Sequence, residues 1–150
     1  MMTDALLQLS SAQAVTASAV STNTIDLGTA RDLGTGSDLY ALFTVDTSAT
    51  AAGAATVNFQ VISSANANLS SANVIAQTDA IAKTDLTAGR KPIVVCISPA
   101  TLLSLPVGQR YLGVQYTVGT GPLTAGAFSA TIVDTVVDVN KNYASGFTVA

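Results

Sequence analysis

The sequence predicts an all-β protein: an antiparallel two-sheet sandwich of jelly-roll type, with seven to eight short strands and terminal arms. Three observations carry this reading. Apolar residues recur at period two. In Thr56 to Ser63, Val57, Phe59 and Val61 fall on one face, and Thr56, Asn58 and Gln60 on the other, the pattern of a half-buried strand. Every acid is an aspartate. Glu supports helix interiors, whereas Asp favours caps and turns, and abundant Thr and Val add strand propensity. Finally, turn signals separate the apolar runs at short intervals, and no stretch reads as a long helix.

The elements follow in chain order. Met1 to Ser11 carries Leu6, Leu7 and Leu9, and reads as one helical turn capped by Thr3 or Asp4, or as an extended arm. Ala14 to Val20 alternates small apolar and hydroxyl residues, as a strand would. Thr22 to Asp26 leads into Leu27-Gly28, and Asp32 to Ser37 is a turn around Gly34 and Gly36. Asp38 to Asp46 is a strong strand, with Leu39, Ala41, Phe43 and Val45 on one face. A small-residue loop joins it to the Thr56 strand, which suggests an antiparallel hairpin. Asn73 to Gln77 is a short strand. Lys91 to Ser98 is a continuous apolar run opened by Pro92, read as a buried strand. Pro99 to Leu105 suits one helical turn stopped by Pro106. Arg110 to Val118 and Ala127 to Val133 are strands flanking the turn Gly119 to Gly126. The expected core is Phe43, Val45, Val57, Phe59, Val61, Val94, Cys96, Val114, Tyr116, Phe128, Ala130 and Ile132. The 150 residues suit one domain, with an N-terminal arm over about residues 1–13 and a C-terminal tail over about 134–150.

Composition narrows function. Charged residues make up 10% and the net charge is −3. No basic stripe offers itself to nucleic acid, and no polybasic patch to an anionic membrane. A low-charge surface rich in Ser, Thr and Ala suits a protein packed against others. The chain has no histidine, the commonest proton-transfer and metal-binding side chain near neutral pH. Its single cysteine excludes an intrachain disulfide. No apolar run approaches the ~18 residues of a membrane span, and Met1 to Ser10 lacks the positive start of a signal peptide. The expected setting is a cytoplasm in which the chain is made and used, or from which it is exported by lysis.

Candidate motifs read as structural. Gly119 to Gly126 lacks the Gly-Lys-[Ser/Thr] ending of a phosphate loop and leads into a strand, so it reads as a hairpin turn. Cys96 has no histidine to activate it and reads as a buried small hydrophobe. Asp26, Asp32, Asp38, Asp134 and Asp138 match no calcium-loop spacing and read as turn and cap residues. Arg90, Lys91 and Arg110 read as solvated, or paired with aspartates across a subunit contact, rather than as a phosphate clamp. Asn68-Leu69-Ser70 fits a glycosylation acceptor but lacks a secretory context. Tyr143 and Phe147 in the tail either fold back on the core or anchor it on a partner.

Several blocks in sequence order carry a resemblance. They are Phe43-Thr-Val-Asp46, Ala55-Thr-Val-Asn-Phe-Gln-Val61, Val74-Ile-Ala76 before Gln-Thr-Asp79, Gly89-Arg-Lys-Pro-Ile93, Arg110-Tyr-Leu-Gly-Val-Gln-Tyr-Thr117 and Ala125-Gly-Ala-Phe-Ser-Ala130. Asp138-Val-Asn-Lys141 and Tyr143-Ala-Ser-Gly146 complete the series. Together they resemble the capsid cement, or decoration, proteins of tailed phages, of the Bordetella-phage type. The resemblance runs from about Leu6 into the tail. It implies a jelly-roll protein on the outer surface of the virion capsid, assembled in the bacterial host cytoplasm, which clamps neighbouring subunits of the major capsid protein. No catalytic residue, metal ligand, cofactor or small-molecule substrate is expected. A homo-oligomer is expected, dimer before trimer, with Asn140, Lys141, Tyr143 and Phe147 as candidate interface residues. The alternative is a carbohydrate- or receptor-binding β-module of a phage tail or fibre. An enzyme is not expected.

Overall fold

The computed structural model describes residues 4–29, 38–103 and 105–136. Ten strands appear: β1 (Gln8–Ala14), β2 (Ala19–Val20), β3 (Ile25–Asp26), β4 (Leu39–Thr50), β5 (Thr56–Ser64), β6 (Asn73–Gln77), β7 (Ile81–Ala82), β8 (Ile93–Ile97), β9 (Tyr111–Gly119) and β10 (Ala125–Val133). Among the described residues, helical structure is limited to 3-10 turns at Ala5–Leu7 and Lys83–Asp85 and one α-helical turn, Pro99–Leu103. The Asp4 carboxylate caps the first of these by accepting from the Leu6 amide at 2.9 Å.

The strands form two antiparallel sheets. Sheet A has the order β1-β10-β4-β8. In sheet B the order is β2-β9-β5-β6, with β3 also on β9 and β7 also on β5. β5 lines one side of β9 throughout, so β2 and β3 share the other side as one interrupted strand. In the same way β6 and β7 interrupt one strand along β5. Counted so, each sheet has four strand positions and the connections make a double Greek key, the jelly roll expected from the sequence.

The inner faces meet in an aromatic cluster. Phe59 sits at its centre, with ring centroids 5.1 Å from Phe43, 5.8 Å from Tyr116 and 5.2 Å from Phe128. The last two contacts are edge-on, which suits the ring quadrupoles. Tyr116 hydroxyl and Ser10 hydroxyl share a hydrogen bond of 2.5 Å. Burial pushes the phenol up to about 12, against the Ser10 bond, so it stays a neutral hydroxyl inside the core.

Four sequence expectations are corrected. β4 and β5 are not a hairpin: β4 pairs with β10 and β8, and β5 with β9, β6 and β7. Each carries one fully apolar face, and the two faces cover each other across the sandwich instead of lying side by side. The N-terminal arm ends earlier than about residue 13, because β1 begins at Gln8, pairs with β10 and buries Leu9. The strand expected over Ala14 to Val20 shrinks to β2, after a turn whose Val15 plugs the core. Val94 and Cys96 face outward, while Ile93, Val95 and Ile97 are buried. Val95 opposes Ala41 on β4, which fixes the inward phase; an all-apolar run carries no phase of its own. The remaining ten expected core residues are buried.

Candidate docking surfaces

The sandwich presents two outer faces, and the alternation of β4, β8 and β10 decides the first. Tyr40, Leu42, Thr44 and Asp46 point outward from β4, Val94 and Cys96 from β8, and Ser129, Thr131 and Val133 from β10. Leu42 and Val133 are only 4% and 3% exposed although they lie outside the central core. Beside them is a hollow of about 430 Å³, lined by Asp4, Ala5, Gln8, Leu42, Thr44 and Ser129 among others. Ser129 organises its rim. Its hydroxyl donates to Asp46 Oδ2 at 2.7 Å and accepts from the Ala12 amide at 2.8 Å. That second bond holds Ala12, at φ 42°, in the bulge of β1.

The outer face of sheet B is different. Asn58, Gln60, Gln77, Gln115 and Thr117 form an uncharged amide and hydroxyl lattice. Gln60 Nε2 donates to Gln77 Oε1 at 2.6 Å, and Thr117 donates to Gln60 Oε1 at 2.8 Å. Such a pre-ordered polar face loses little side-chain entropy when a partner covers it.

Three of the cations are held separately, each by a bond within the chain. Arg110 makes a bidentate pair with Asp26, at 2.6 and 2.7 Å, within the same chain and not across a subunit contact. Its guanidinium also lies 5.1 Å from the centroid of the Tyr111 ring. Arg90 donates to the Asp85 carbonyl at 2.7 Å, and Lys83 to the Ala51 carbonyl. Among the described residues no three acids, cysteines or histidines gather as metal ligands. Asp26 also accepts from the Gly28 amide at 2.8 Å, the turn role expected of it. Asn140, Lys141, Tyr143 and Phe147 lie outside the described residues, as do Asp32 and Asp138.

The Arg110 guanidinium and the Gly28 amide hold the Asp26 carboxyl down at about 2. A lowered folded pKa contributes stability above the unfolded value of about 3.9, and this is lost as pH falls towards 2. The pair is exposed, so the effect is small and screened by salt. We expect Asp26→Asn to melt slightly lower than the parent at pH 7 and to show a flatter acid limb between pH 4 and pH 2, so that the two proteins converge near pH 2. An unaltered acid limb would show that the pair does not act on folding.

Cys96 is exposed; partial desolvation of its thiol, and then the nearby Asp38 carboxylate, raise its pKa. It is a thiol rather than a thiolate at neutral pH. The sequence missed this face because nothing in Ile-Val-Val-Cys-Ile marks which residues turn outward; only pairing with β4 decides it.

These surfaces define a class: an antiparallel jelly-roll sandwich with broad, weakly charged faces. The Bbp16 family model matches residues 9–132. The chain belongs to the Bbp16 family, whose name suggests a Bordetella phage protein. Comparison with curated proteins finds no match.

Proposed function

We propose that this protein is a structural virion component that binds the outside of a phage capsid and cements neighbouring subunits of the major capsid protein. The family match over residues 9–132, on a jelly-roll sandwich, is the observation that carries this reading. The surfaces support it. The outer faces carry few charges, and Arg110, Arg90 and Lys83 are bonded within the chain, which favours broad protein contact over phosphate recognition. In this reading the protein is not an enzyme and needs no cofactor, nucleic acid or membrane. It acts as a homo-oligomer, dimer before trimer, so that identical contacts repeat on several shell subunits and modest contacts add by avidity.

The sugar- or receptor-binding alternative is less well supported. Sugar sites use exposed aromatic platforms, yet Phe43, Phe59, Tyr116 and Phe128 are buried, and Tyr40 and Tyr111 are half-buried.

The deciding experiment compares phage heads with and without the protein. We expect stoichiometric decoration, and bare heads that open at lower temperature or after milder osmotic shock. Equal rupture thresholds would overturn the cementing role.

A further inference from the structure

The hollow on the outer face of sheet A carries the furthest inference. Three parts of the chain build it. β4 supplies Leu42 and Thr44, β10 supplies Ser129 and Thr131, and the N-terminal turn with the start of β1 supplies Asp4 and Gln8. Its volume of about 430 Å³ falls within the range of ligand sites, roughly 300–1,000 Å³.

The walls are tied together within the chain. The Thr131 hydroxyl donates to the Leu7 carbonyl at 3.3 Å, which holds the N-terminal turn against β10. Ser129 holds β1 to the same strand through the Ala12 amide, at 2.8 Å. β1 also shifts register on β10 twice, between Gln8 and Ser10 and between Ser10 and Gln13. Bulges of this kind re-aim side chains and recur beside functional sites. Ala12, at φ 42°, pays for the bend with a backbone conformation that non-glycine residues rarely adopt.

The chemistry of the lining selects the ligand. Among the described residues that line the hollow, Asp4 is the only ionisable one. One of its carboxylate oxygens accepts from the Leu6 amide at 2.9 Å, which fixes the direction of the side chain. A carboxylate accepts on both oxygens, so the cap leaves it able to meet a cation. Asp46, bonded to Ser129 at the rim, adds a second negative charge. Gln8 and Thr44 contribute further acceptors, and Ala5 and Leu42 contribute apolar wall. The complement of such a lining is a cation with several donors on an apolar stem. Arginine fits best: its planar fork carries five donors and no acceptor, and it is less strongly hydrated than the lysine ammonium. Long cationic side chains lay their stems along apolar surface.

We propose that this hollow receives an arginine side chain of a partner protein, with the guanidinium on the Asp4 carboxylate and the stem against Ala5 and Leu42. The partner is a subunit of the major capsid protein, an assignment that rests on the cementing reading; the arginine site itself does not. On an outer face with few charges, one arginine seated in a hollow is an effective anchor, and arginine is enriched at binding hot spots.

The full-length protein is titrated with N-acetyl-arginine amide and, for comparison, with uncharged N-acetyl-glutamine amide, and backbone amide shifts are followed by NMR. We expect saturable shifts at Gln8, Thr44, Ser129 and Thr131, with the glutamine probe at least about threefold weaker. Asp4→Asn keeps the cap, since Asn serves as well as Asp there, and removes the charge. It should weaken arginine binding by about threefold or more. Thr44→Phe fills the hollow and should abolish the shifts at Gln8 and Thr131. Should Thr44→Phe fail to fold, Asp4→Asn still decides. No saturable shifts around the hollow, equal binding of the two probes, or unaltered affinity in Asp4→Asn would each overturn the site. On phage heads, lower occupancy by Asp4→Asn than by the parent supports the shell subunit as the source of the arginine. Equal occupancy would overturn that assignment and leave cementing standing. A parent that does not decorate heads would overturn the cementing reading, while the titration still decides the arginine site.

Discussion

Replacing Phe59 with Ala is expected to cost about 3–5 kcal/mol, the range for removing a fully buried aromatic ring. The value should lie high in that range. Phe59 is 0% exposed and touches Phe43, Tyr116 and Phe128, so its removal opens a void at the point where both sheets meet. The neighbours cannot collapse into it freely. Tyr116 is tied to Ser10 by its hydroxyl, and Phe43 and Phe128 are fixed by opposed strands β4 and β10. Denaturant unfolding monitored by circular dichroism measures the loss. Phe59→Leu fills part of the void and should recover part of it. A cost below about 1 kcal/mol for Phe59→Ala would mean that the aromatic cluster is not the centre of the core.

The second large effect lies on the outer side of sheet B. Gly113 on β9 opposes Ile62 on β5, and Leu69 from the loop after β5 presses onto it. A Cβ at position 113 would stand 2.3 Å from Leu69 Cδ1 and 3.1 Å from Ser21 Oγ. Leu69 has little room to yield. It is 3% exposed, at φ 57°, and its amide bonds to the Asn66 carbonyl. The loop is further held by the Ser64 hydroxyl donating to the Ser70 carbonyl at 2.7 Å. Ser21 is also fixed, since its hydroxyl donates to the Asn23 carbonyl and accepts from the Val114 amide. Overpacking of this kind costs about 1–3 kcal/mol, so we expect Gly113→Val to lose at least that much. The clash has one main partner, which gives a clean test. Leu69→Ala combined with Gly113→Ala should cost less than the sum of the two single changes. Additive losses would show that Leu69 and Gly113 do not meet.

Much of this architecture can be read from the chain. Val57, Phe59 and Val61 show their inward phase because polar Thr56, Asn58 and Gln60 alternate with them. Phe128, Ala130 and Ile132 do the same on β10. Asn73 to Gln77 stands out between an Asn-rich loop and a polar stretch, and it is β6. The candidate docking surfaces were less legible. Composition shows that they carry few charges, but the amide lattice of Gln60, Gln77 and Gln115 exists only because register aligns three strands that are distant in sequence.

The sequence by itself determined the strand periodicity, the turn positions and the class of sandwich, because each depends on residues within a few positions of one another. Only the tertiary structure decided which strands pair, which way β8 turns, and how the ends are sealed. Val15, Leu86 and Leu123 are buried yet lie between the strands, in segments with no periodic pattern. They plug the sandwich where loops cross its rim, and a plug is defined by what it meets across the fold. The same reason sets β4 against β5: two apolar faces can be satisfied side by side or face to face, and long-range pairing with β10 and β9 selects the second.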